Sequence, residues 1–204
     1  MREDIKGLLA ELHDMSSSAE NCISLLQASF IYNAPKPLSD CREAVDIIKN
    51  KETGLTKKLT EIAREDADIK PYVSIPGHIS RIAENIEKLS DLMNKKIKDD
   101  VLFSDKAMTE ITFLFQRLID ILRPTSDMLL AKNVFLSRYV QESESGIANR
   151  AAEYATQHEE RLIEGLCLPA ASAVYINMLD SIKNIAWHAK EIAARLVGWM
   201  MPKA

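Results

Sequence analysis

Apolar positions recur every three or four residues along most of the chain, with polar positions between them. The first such stripe, Ile5, Leu8, Leu12, Met15, Ala19, Cys22, Leu26 and Phe30, winds onto one face of a helix running from Glu3 to Tyr32. Pro35 and Pro37 end that run. Ser39 or Asp40 is then placed to cap a second helix by accepting a backbone N–H, and this helix carries Ala44, Ile48, Leu55, Leu59 and Ile62. The polar run Arg64-Glu65-Asp66-Ala67-Asp68 predicts a connection. A third stripe, Ile75, Ile79, Ile82, Ile86, Leu89 and Met93, has the alternating spacing of a coiled-coil seam. Ser74 is its expected cap, and Pro76 falls in a first turn that needs no internal N–H partner.

The second half of the chain follows the same plan. Ser104 is predicted to cap a fourth helix using Met108, Ile111, Phe115, Leu118 and Leu122, with a kink at Pro124, which removes the hydrogen bond to the Asp120 carbonyl. A fifth helix starts after Asn133, carries Val140, Ile147, Ala151, Tyr154, His158 and Leu162, and is expected to end at Gly165 and Pro169. The sixth repeats the seam with Met178, Ile182, Ile185, Ala189, Ile192 and Leu196.

A shift of about half the chain lays Tyr175 on Tyr72, Met178 on Ile75, Ile182 on Ile79, Ile185 on Ile82, Ala189 on Ile86 and Leu196 on Met93. The same shift pairs Leu8 with Ile111, Leu12 with Phe115 and Met15 with Leu118. One offset that aligns two different helices of each half indicates an internal duplication. The expected fold is all-α: a six-helix bundle of two tandem three-helix repeats, residues 1–102 and 103–204, packed as one unit.

Composition narrows the function classes. At 47% apolar residues the chain can build a core, and a net charge of -4 argues against nucleic acid as a partner, because phosphate binding needs a basic field. Lys57-Lys58 and Lys95-Lys96-Ile97-Lys98 have acidic neighbours and read as solvated helix faces. Cys22, Cys41 and Cys167 form no CxxC pair and read as reduced, helix-borne small hydrophobes. The opening MREDIKGLLAELHD is charged throughout, unlike a secretory leader. The longest uncharged stretch, residues 165–179, contains Pro169, Ser172 and Asn177 and would not span a bilayer. A cytoplasmic protein is expected, reaching a membrane only through a partner.

The residues do not suggest an enzyme. None of His13, His78, His158 and His188 follows a Glu by three positions, as a diiron bundle requires, and the string from His158 to Leu162 is not HExxH. His158 lies on an apolar line and is expected to be a hydrogen-bonded, partly buried imidazole. The serines lack a nucleophile-elbow context, and the six glycines are scattered singly. On the outward face of the third helix, Glu84, Glu87 and Asp91 form a line of carboxylates with Arg81 and Lys88 nearby; a hard cation or iron would need these oxygens and a neighbouring helix. The matching outward position on the sixth helix is Trp187, which should cover a loop, the other half of the chain or a partner.

Two segments resemble the signature helix of the PhoU-type phosphate-uptake regulators, approximately hydrophobic–acidic–Arg–Ile–Gly–Asp–His–Ala–x–Asn–Ile–Ala. They are His78-Ile79-Ser80-Arg81-Ile82-Ala83-Glu84-Asn85-Ile86 and Ile185-Ala186-Trp187-His188-Ala189-Lys190-Glu191-Ile192-Ala193. The stretch from His158 to Leu162, followed by Leu168-Pro169-Ala170-Ala171-Ser172, is similar to the PhoU-like domains of some sodium/phosphate cotransporters. The resemblance implies a non-enzymatic adaptor that docks on a phosphate transporter or its sensor kinase. It also implies iron or zinc on acidic-x-x-x-Asp pairs. Here the first acidic position is Ser80 in one repeat, leaving Glu84, while Lys183 and Trp187 take both positions in the other. At most one metal site is therefore expected, on Glu84, Glu87 and Asp91. The alternatives are a metal-binding bundle whose ions are functional, and an architectural helical domain that forms homodimers.

Overall fold

The computed structural model describes residues 3–131 and 133–197. These form α1 (Glu3–Tyr32), α2 (Lys36–Ile62), α3 (Ile75–Lys98), α4 (Asp105–Leu130), α5 (Val134–Ile163) and α6 (Pro169–Val197), with a 3-10 helix (Ala67–Tyr72) before α3. There is no strand among the described residues, and no described helix is long and apolar enough to cross a membrane.

Local chemistry sets the helix ends. Ser104 accepts the Ala107 N–H at 3.3 Å, the cap expected for α4, and Asn133 accepts the N–H groups of Phe135 and Leu136 at 2.9 and 3.2 Å, so α5 too begins at a side-chain cap. Gly165 takes φ +73°, where a side chain would be strained, and ends α5. Its N–H bonds Leu162 O at 3.1 Å while Leu166 N–H bonds Arg161 O at 2.8 Å, satisfying two last-turn carbonyls. Pro169 does not end α5; it opens α6.

Two helix starts differ from expectation. α2 begins at Lys36, not after Ser39 or Asp40, because Pro37 fits a first turn whose N–H groups lack internal partners anyway. Ser39 Oγ instead donates back to Lys36 O at 2.7 Å. Ser74 precedes α3 but makes no side-chain cap, since the 3-10 helix runs almost directly into it and leaves Ser74 in a helical conformation. The expected connection holds the cap of that 3-10 helix: Asp66 accepts the Asp68 N–H at 3.0 Å. α4 continues through Pro124 to Leu130.

α1 packs on α4 and α3 on α6, while α2 and α5 touch helices of their own half alone. The four inner helices share one core. Ile79, Ile82, Ile86 and Leu89 of α3, and Ile182, Ile185, Ala189 and Ile192 of α6, are all buried as the seams predict. Phe30 packs against Phe103 and Phe115 at ring separations of 5.7 and 6.0 Å, tying α1 to the segment before α4 and to α4 itself. A buried Ser126–Ser16 hydrogen bond of 2.7 Å joins α4 to α1.

Candidate functional site

The antiparallel contact of α3 and α6 brings the two signature-like helices together, each at the heart of its own half. Steps of seven place His188 and Arg195 on one face of α6, opposite His78 in the first turn of α3. The Nδ1 atoms of His78 and His188 are 3.1 Å apart, and Arg195 Nε donates to His78 Nε2 at 3.0 Å. These contacts determine the protonation. Because His78 Nε2 accepts from Arg195, a neutral His78 carries its proton on Nδ1 and donates it to His188 Nδ1, which leaves the His188 proton on Nε2.

Charges around the pair are balanced locally. Arg81 Nη1 meets Glu84 Oε2 at 3.1 Å, and Arg195 Nη2 lies 3.6 Å from Glu191 Oε2. Burial, and then Arg195, hold His78 below the usual imidazole range; burial, His78 and Arg81 push His188 down to about 4. Both rings are neutral at pH 7. Trp187 closes the outer edge, with ring centres 4.8 Å from His188 and 6.2 Å from His78, and remains 44% exposed.

The carboxylate line of α3 is present but divided among cations. Glu84 pairs with Arg81, Glu87 with Lys49 of α2 at 2.9 Å, and Asp91 with Arg42 of α2 at 2.9 Å. Glu87 in turn raises the Lys49 ammonium above its usual range. Lys183, at the other would-be acidic position, is held by Asp180 at 2.7 Å. Among the described residues, no three His, Cys, Asp or Glu side chains converge as a metal site would need.

A second polar cluster, which no sequence spacing brings together, lies inside the other half. Glu110 of α4 is 2% exposed and takes two bonds from Arg161 of α5, at 2.8 and 3.1 Å. The Tyr175 hydroxyl of α6 donates to the same carboxylate, and burial, followed by this bond, raises its pKa. His158 stacks on Tyr175 at 4.4 Å, and its Nε2 lies 3.0 Å from Ser172 Oγ. Burial and Arg161 keep this imidazole neutral. Phe103, His158, Cys167 and Tyr175 line an adjoining cavity of about 220 Å³, rimmed by Leu102, Leu166 and Leu168.

No protein-family model matches the sequence, and no curated protein does. Among solved structures, PhoU from Pseudomonas aeruginosa is similar over 97% of this chain and 96% of that one, with a TM-score of 0.85 and 16% sequence identity. The chain therefore has a PhoU-like fold.

Proposed function

We propose that this chain is a PhoU-like regulator: a non-enzymatic adaptor that controls uptake of phosphate or a related ion by docking on a transporter or a sensor kinase. The observation that carries this reading is the near end-to-end likeness to a solved PhoU, together with the signature-like helices meeting at one seam. Residues 1–102 and 103–204 are read as two copies of one unit; Tyr72 and Tyr175, equated by the duplication, are both buried. The seam offers a half-exposed Trp187 beside paired charges, the mix of aromatic anchor and polar rim that partners grip.

Titrating the chain against the purified phosphate transporter and sensor kinase of its own cell tests this. Binding to one of them is expected, weakened about tenfold or more by Trp187→Ala with little change in melting temperature, since buried aromatic anchors dominate interface energies. Unaltered binding in the variant would remove Trp187 from the interface. Failure to bind either protein would remove the adaptor reading, and self-association seen by sedimentation would favour the architectural homodimer.

Metal binding rests on Glu84, Glu87 and Asp91. With Arg81, Lys49 and Arg42 already answering these carboxylates, we expect less than about one equivalent of iron or zinc after purification without chelators or a histidine tag. A full equivalent that disappears in Glu84→Ala would restore the metal-binding bundle as the better account.

A further inference from the structure

We propose that His78, His188 and Arg195 form a proton-operated latch between the two halves of the bundle, closed while both imidazoles are neutral and released at Arg195 when either takes up a proton. Hydrogen bonding at the two rings sets the switch. A neutral imidazole has one donor and one acceptor nitrogen, so the pair offers two acceptors. Both are occupied: His78 Nε2 by the Arg195 N–H, and His188 Nδ1 by the His78 N–H. The remaining nitrogen, His188 Nε2, already bears its proton and makes no hydrogen bond to the described residues. An incoming proton therefore finds no free lone pair.

Each route for protonation ends at the same bond. A proton on His78 Nε2 faces the Arg195 N–H directly, donor against donor and cation against cation. A proton on His188 Nδ1 opposes the His78 Nδ1–H. That conflict is relieved when His78 moves its own proton to Nε2, which again meets Arg195. In both cases Arg195 must leave His78, and Glu191, one turn back on α6, is the carboxylate placed to keep it. The other charges acting on the pair are Arg81 and Glu84 of α3, bonded to each other. Farther out, Lys49 of α2 and Glu144 of α5 are committed to Glu87 and Lys190, at 2.9 Å in each case.

The direction of the pH effect follows. A histidine whose pKa is depressed on folding stabilises the fold above its unfolded value of about 6.5, and that stability is lost as pH falls through the folded value. The window here runs from about pH 6.5 down toward 4.

Nitrogen-15 NMR of the full chain, with a titration from pH 8 to 4, is the test. At pH 8, His78 is expected in the Nδ1–H form and His188 in the Nε2–H form. The Arg195 Nε–H signal should shift with the same midpoint as the imidazoles, below the ordinary imidazole value of about 6.5. Arg195→Gln, checked for fold by its helical circular dichroism, should move the His78 midpoint upward, toward the ordinary imidazole range. Should the Gln variant misfold, the wild-type titration alone decides. An Nε2–H form of His78 at pH 8, a His188 midpoint near 6.5, or an Arg195 signal indifferent to the histidines would each overturn the latch.

Discussion

Arg161→Met is expected to destabilise the fold by about 3–5 kcal/mol at neutral pH, because it strands the Glu110 carboxylate in the interior. In the native protein that carboxylate, 2% exposed, is held by two guanidinium bonds and the Tyr175 hydroxyl. Methionine fills similar volume, so the loss is one of charge compensation rather than packing. The mostly exposed Lys106 ammonium, 4.0 Å from Glu110 Oε1, offers partial relief and pulls the expectation toward the lower end. For a chain of this size the loss should lower the urea midpoint by roughly 1.5–2.5 M. A double variant, Glu110→Leu with Arg161→Met, should recover most of it, since replacing both partners by apolar groups removes the desolvation penalty along with the attraction. If the single change costs less than about 1 kcal/mol, the carboxylate finds water or a cation that the packing does not suggest.

Ile82→Ala should cost about 2–5 kcal/mol, made up of lost transfer energy and the cavity left behind. Ile82 is 1% exposed on α3, where its neighbours Ile79 and Ile86 are also buried and the helix packs on α6. Rigid helices on both sides leave little room for collapse, which favours the upper part of the range. Chemical unfolding with unchanged cooperativity is the measurement. A loss below about 1 kcal/mol would mean that the α3–α6 seam is not a load-sharing part of the core.

Much of this architecture was legible because each helix is long and its stripe unbroken. The α1 stripe is buried along its length, the cap at Ser104 lies where a side-chain oxygen precedes a periodic run, and α5 starts directly after Asn133. The start of α2 was not legible. Two prolines read equally as a stop and as a first turn, and the difference depends on how α1 hands over the chain. The 3-10 helix is too short for any period to show.

The functional surface divides along similar physical lines. The carboxylates of α3 were visible as a line, and so was Arg81 beside Glu84, but the cations that answer Glu87 and Asp91 come from α2, 38 and 49 positions away at Lys49 and Arg42. His78 and His188 are 110 residues apart, and no local spacing joins them. The usable signal was the duplication, which makes α3 and α6 counterparts. Glu110 and Arg161 each sit next to a stripe residue, Ile111 and Leu162, and a charge hugging an apolar line in two helices of the same half was a hint of burial. His158 was expected to be partly buried and bonded; it is fully buried, because Tyr175 covers its ring.

Helix α1 meets α4 and α3 meets α6, so under the duplication proposed above each inner helix packs against its own counterpart. That is the contact pattern of a self-complementary dimer about a two-fold axis, here joined into one polypeptide. A symmetric dimer bears a restriction: a residue on the axis must face a copy of itself. The shift that equates Leu8 with Ile111 also equates Glu20 with Arg123, and these two face each other across the α1–α4 contact at 2.9 Å. Identical subunits would set glutamate against glutamate or arginine against arginine there, and like charges repel. A single polypeptide is free of that restriction, and the position carries an ion pair between one half and the other.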